Sequence, residues 1–187
     1  VSFADICYAS NPNYTYVPDD NFEQALIDLG YDDVLNDFVL TENISGLTML
    51  DVSNEGISDL TGIEGFTALT SLNCDNNELT SLDLTSNTNL TYLYCSDNQL
   101  TSLDVSLNTA LTELRCYRNE LTSLNVNSNV ALIALHIGAN SISTLDVSAN
   151  TALNLLSCDN NQLTSMDVSA NTALINLYCY DNQLTSL

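Results

Sequence analysis

Lysine is absent from this 187-residue chain, and Arg115 and Arg118 are its only arginines, against 24 acidic residues. The net charge of −22 repels polyanions, so nucleic acid and anionic membrane surfaces are excluded as partners. No run of about 18 apolar residues occurs, so membrane insertion is not expected. No basic start followed by an apolar stretch opens the chain, and a signal peptide is expected to have been removed already. The single histidine, His136, lacks a nucleophile partner, because every cysteine near it occupies a core position. Paired carboxylates such as Asp159 and Asp181 carry little information where Asp is so frequent, and catalysis is not expected. The acidity has two compatible readings: solubility, or a salty or calcium-rich extracellular medium that screens the charge.

What is present is a repeat. Units of 21 residues open at Leu69, Leu90, Leu111, Leu132, Leu153 and Leu174, each close to LxxLxCxxNxLTSLDVSxNTA, and a less regular unit of 22 opens at Leu47. Self-similarity at this period marks a solenoid, in which each unit buries its apolar face only by stacking on its neighbours. Cys74, Cys95, Cys116, Cys158 and Cys179 share position six of the unit, where the skipped unit has Ile137 and the first has Val52. A position shared by Cys, Ile and Val is a buried apolar one. Neighbouring strands set such Cβ atoms about 4.8 Å apart and parallel, outside good disulfide geometry. A one-dimensional column also offers no tetrahedral metal cluster. The expectation is a stacked column of reduced thiols, with Cys7 left without an assigned partner.

Residues 1–17 show no periodicity and read as an irregular lead-in. Residues 18–46 read as an N-terminal cap: Pro18-Asp19-Asp20-Asn21, then Phe22, Ala25, Leu26 and Leu29, then Gly30, is the pattern of a short amphipathic helix that covers the open end of the stack. Residues 47–187 form the solenoid of about seven repeats, the last incomplete. A solenoid needs a polar cap at each end, so the chain is expected to continue past Leu187. Within each unit, Leu at positions one, four, eleven and fourteen points inward with the cysteine. Asn at position nine (Asn77, Asn98, Asn119, Asn140, Asn161 and Asn182) satisfies backbone groups where the chain leaves the sheet. The remainder, such as Asp104–Ala110, is too short for a helix, so turns are expected on the convex side.

The LxxLxCxxNxL core resembles leucine-rich repeat proteins. Leu47–Leu72, with Ile57-Ser58-Asp59-Leu60-Thr61-Gly62-Ile63, resembles the 22-residue repeat of internalins, and the Pro18–Gly30 helix resembles the cap of internalin-like secreted bacterial proteins. The cysteine at position six and the LTSLDVSxNTAL phrase resemble 21-residue repeats of secreted and surface proteins of Bacteroidetes-type bacteria. The resemblance covers residues 18–187 and implies a mainly β, leucine-rich repeat solenoid with one parallel sheet. It also implies a secreted or surface-attached recognition and adhesion role, and no catalytic residues.

Alternation along the strand sends positions three, five, seven, eight and ten to the exposed sheet face. All five tyrosines of the repeats (Tyr92, Tyr94, Tyr117, Tyr178 and Tyr180) fall there, as do Arg115, Arg118 and His136. Tyr94, Arg115 and His136 hold the same position in consecutive units. Tyr and Arg are the side chains most favoured at binding hot spots. These residues, with Glu113, form the candidate ligand site, where an anionic or mixed-charge ligand avoids strong repulsion; the plainer alternative is that the arginines only neutralise Glu113 and Glu120. An extracellular protein is the expected partner by analogy with internalin-like proteins, with a glycan as the alternative. Thr80-Ser81, Thr101-Ser102, Thr122-Ser123 and their successors form a hydroxyl edge that suits ice or another crystal surface as a further alternative. No cofactor is expected. Asp32, Asp33, Asn36 and Asp37 form an acidic loop suited to calcium, although without EF-hand spacing.

Overall fold

The computed structural model describes residues 13–185, so Cys7 lies outside the described residues. The first element lies at the end of the segment expected to be irregular: β1 (Tyr14–Tyr16) pairs antiparallel with β2 (Phe38–Leu40), with Thr15 opposite Val39. Between them runs helix α1 (Asp20–Asp28), inside the predicted Pro18–Gly30 segment. Asp19 caps its start, one carboxylate oxygen accepting from the backbone N–H groups of Asn21 and Phe22 at 3.0 Å. Gly30, at φ 80°, ends it: the Gly30 and Tyr31 N–H groups return to the carbonyls of Ile27 and Leu26, a Schellman closure that a residue with a Cβ resists. Phe22, Ala25 and Leu26 are buried, and Phe22 stacks on Phe66 with ring centroids 6.2 Å apart. The cap therefore closes one end of the apolar stack.

Charge does a second job here. Glu23 is fully buried in α1, and its carboxylate accepts from the backbone N–H groups of Asn36, Asp37 and Phe38 at 2.9–3.1 Å. The second oxygen of Asp19 accepts from Ser58 N–H, Ser58 Oγ and Asp59 N–H, which ties the cap to the first repeat. Burial opposes the ionised form of Asp19, but these hydrogen bonds more than offset it and hold its carboxyl below the ordinary value.

After α2 (Thr41–Ile44) comes a seven-stranded parallel sheet: β3 (Met49–Asp51), β4 (Ser71–Asn73), β5 (Tyr92–Tyr94), β6 (Glu113–Arg115), β7 (Ala134–His136), β8 (Leu155–Ser157) and β9 (Asn176–Tyr178), each beside the next in chain order. The register advances by one repeat at every step, so Leu72, Leu93, Leu114, Leu135 and Leu156 align and are fully buried. Position six lies two residues on and points the same way. Cys74, Cys95, Cys116 and Cys158 are accordingly free and buried, and Cys179 in the last rung is half-buried. Burial pushes the Cys116 thiol up to about 12.

Beyond the strand every rung turns through a left-handed residue at position eight: Asn54 at φ 66°, then Asn76, Asp97, Arg118, Ala139, Asn160 and Asp181 at φ 51–55°. Asn at position nine then satisfies the turn. The Asn98 amide donates to the carbonyls of Cys74 and Cys95, and its oxygen accepts from Leu79 N–H. A second, unanticipated asparagine column runs down the convex side. Asn87, Asn108, Asn129, Asn150 and Asn171 are buried, and each donates to two carbonyls of the preceding rung, as Asn129 does to Val105 and Asn108 at 2.9 Å. The convex side is built of turns, with Val105, Val126 and Val147 filling beneath them. No helix among the described residues is long and apolar enough to cross a membrane.

Candidate functional site

The face opposite the core is assembled by strands β5 to β9. Their register sets Tyr94, Arg115, His136, Ser157 and Tyr178 side by side in one row. The row Tyr92, Glu113, Ala134, Leu155 and Asn176 lies beside it. The structure thus brings together Tyr92, Tyr94, Glu113, Arg115 and His136 on adjacent strands. Tyr117 and Arg118 follow β6, while Tyr178 and Tyr180 stand beyond β8 and are exposed. Two positions of the same face, Ser96 and Gly138, are buried beneath their neighbours' side chains.

The electrostatics differ from a free cationic patch. The Arg115 guanidinium sits 2.6 Å from Glu113 and 4.5 Å from the centre of the Tyr94 ring. Arg118 pairs with Asp97 at 3.2 Å, not with Glu120, and lies 6.0 Å from the Tyr117 ring centre. Both arginines are neutralised within the protein, so the basis for an anionic ligand weakens to a mixed-charge, aromatic surface. Burial and the neighbouring Glu113 push the Tyr94 phenol up. Burial and nearby Arg115 hold His136 below its ordinary 6.5, which favours the neutral imidazole.

A depression of about 600 Å³ opens beside this row, walled by Tyr117 and Tyr180 and lined by Arg118, His136, Asp159 and Asn160. Gly138 forms part of its floor. A Cβ at that position would meet the Asp159 carboxylate at 3.0–3.2 Å, so the missing side chain lets the carboxylate lie across the rung. Asp159 accepts from Ser157 Oγ at 2.6 Å and from the Asn160 amide at 3.1 Å. Burial opposes its charge, but hydrogen bonds from Ser157, Asn160 and Tyr180 hold its carboxyl below the ordinary range. Sequence reading left Asp159 and Gly138 out of the candidate site. Its available signal was position eight: five of the seven left-handed residues there (Asn54, Asn76, Asp97, Asn160 and Asp181) are Asn or Asp, whereas Arg118 and Ala139 break the pattern beside the depression. Non-glycine residues other than Asn and Asp hold this conformation at a cost.

The acidic loop after α1 is organised differently from the expectation. Asp37 joins Asp20 and Glu23, their carboxylate oxygens lying within 4.8 Å of one another. Asp32 and Asp33 stand outside that group. Glu23 already accepts from three backbone N–H groups of the loop, so its charge holds the loop to the cap.

No protein-family model matches the chain. Over 73 residues, 39% of this chain, it is 43% identical to Internalin J of Listeria monocytogenes serotype 4b, and that stretch is 8% of the relative. Among solved structures, the functional domain of InlJ from Listeria monocytogenes, described as including a cysteine ladder, is 35% identical with a TM-score of 0.51. That match covers 93% of this chain and 49% of the InlJ domain, so the chain spans about half the latter's length. Internalin C2 of Listeria monocytogenes is 23% identical with a TM-score of 0.67, covering 94% of this chain and 92% of that structure, a likeness of fold. The parallel sheet, the turns of the convex side and the capped end together make this an internalin-like leucine-rich repeat fold.

Proposed function

We propose that this chain is a non-catalytic recognition and adhesion module, secreted or attached to a cell surface, that binds an extracellular protein through the exposed face of its sheet. The observation that carries the reading is the in-register row Tyr94, Arg115 and His136, with Tyr92 and Tyr117 flanking it on one continuous face. Internalin-like leucine-rich repeat domains are generally protein-interaction modules, which supports the same reading. The physical logic is that of a hot spot. Tyrosine offers large, fairly rigid area with a polar handle, and an arginine already braced by Glu113 and Tyr94 loses little freedom on binding.

The test measures binding of purified extracellular proteins, with a glycan array and an ice-growth assay in parallel. Tyr94→Ala or Arg115→Ala is expected to weaken the protein complex by about 1–2 kcal/mol with the fold intact. Thr101→Ala and Thr122→Ala on the exposed hydroxyl edge are expected to change nothing. A sensitive hydroxyl edge with a silent tyrosine face contradicts the proposal, as does binding of glycans with no protein ligand.

A further inference from the structure

Among the described residues, both arginines are spent on Glu113 and Asp97, which leaves Asp159 with no cationic partner. Its carboxylate is nonetheless held in place, by Ser157 Oγ at 2.6 Å, the Asn160 amide at 3.1 Å and the Tyr180 hydroxyl, across the rung that Gly138 leaves open. An oriented carboxylate with no cationic partner, lining a depression between Tyr117 and Tyr180, is complementary to a cation on a slender stem. Carboxylates pair with ammonium or guanidinium by charge-assisted hydrogen bonds, and tyrosine faces attract the same cations. A net charge of −22 draws a basic partner toward the whole molecule.

Resting on the reading that a protein partner sits on this face, we infer that the depression between Tyr117 and Tyr180 is an anchor pocket for one basic side chain, lysine or arginine, of that partner, with Asp159 as its counter-charge. The volume of about 600 Å³ leaves room for such a side chain. His136, which lines the depression, offers a hydrogen-bonding nitrogen. Arg118 also lines the depression, and its pairing with Asp97 offsets its charge there.

The probe is acetyl-Gly-Lys-Gly-amide, titrated into the intact chain and followed by NMR, with its Nζ-acetylated form as a neutral control. Maltotriose serves as a carbohydrate control. The expected result is saturable shifts at Gly138, His136 and Asn160 with the lysine peptide, and none with the acetylated one. Asp159→Asn should weaken that binding about tenfold, while Asp104→Asn, the same charge change on the exposed convex side, should alter it less than about twofold. Gly138→Ala, which crowds the carboxylate without removing charge, should weaken it as well. Equal weakening by Asp104→Asn would identify diffuse attraction and overturn the pocket, and so would equal or larger shifts with maltotriose. With a protein partner in hand, loss of its binding in Tyr94→Ala but not in Asp159→Asn defeats the anchor pocket alone. Unchanged binding in both variants defeats the recognition face with it.

Discussion

The inward and outward columns of this solenoid share the same strands yet follow different rules. Position four is leucine in every rung from Leu72 to Leu177, and position nine is asparagine from Asn77 to Asn182. Position five, one residue from that leucine, runs Asn73, Tyr94, Arg115, His136, Ser157 and Tyr178. An inward side chain must fit the identical rung above and below it, so stacking imposes uniformity. An outward side chain meets water and its two neighbours only, so its identity is free to answer something outside the molecule. Variation along an outward column, set against a fixed inward one, is where the recognition chemistry of a repeat protein is legible.

The sharpest way to break the contrast is through the core. Leu114→Ala, in the centre of the stack, is expected to cost about 2–5 kcal/mol in chemical unfolding. A cost no larger than that of Tyr94→Ala would mean the two columns do not differ. Next comes the thiol column: Cys116→Ser should cost on the order of 1–3 kcal/mol through burial of a hydroxyl. Thiol reagents should label Cys74, Cys95 and Cys116 only after unfolding, and rapid labelling of the folded chain would contradict their burial.

The cap gives a pH signature. Because the Asp19 carboxyl is held below its ordinary 3.8, its contribution is complete above that value and lost as pH falls through the lowered folded-state value. Asp19→Asn should therefore lower stability at neutral pH and flatten the acid limb; an unchanged acid limb would remove Asp19 as the tie between cap and repeats. The smallest effect sharpens the comparison from the face. Ala139→Gly relieves a left-handed alanine, and thermal unfolding should show a gain of about 0.5–1 kcal/mol. Destabilisation there would show that the turn is not strained.

Most of the fold was readable because the repeat multiplies each weak signal. One leucine at position four says little, but six of them at a constant interval define a stack, and the Cys, Ile and Val sharing position six define its depth. The cap helix was readable from Asp19 and Gly30. What escaped depends on contacts distant in sequence. The pairing of Tyr14–Tyr16 with Phe38–Leu40 leaves no local pattern in segments of three residues. Asn129 and its column equivalents lie in the convex turns, and their role depends on carbonyls that the rung before them supplies. Glu23 carries no mark in the sequence that sets it apart from the other acids of the cap, yet it is buried as an acceptor for three amides. On the face, the rows and the pairing of Arg115 with Glu113 were readable, but the partner of Arg118 was not, since Arg118 reaches back one repeat to Asp97 instead of toward the nearby Glu120.

The central claim is that outward columns carry recognition and inward columns carry the fold. Its most direct test is a paired measurement, melting temperature and partner affinity, on the double variant Tyr94→Ser with Tyr117→Ser. The account predicts a melting temperature within a few degrees of the parent and affinity reduced by about tenfold or more. A chain that melts far earlier, or one that keeps full affinity, would contradict it.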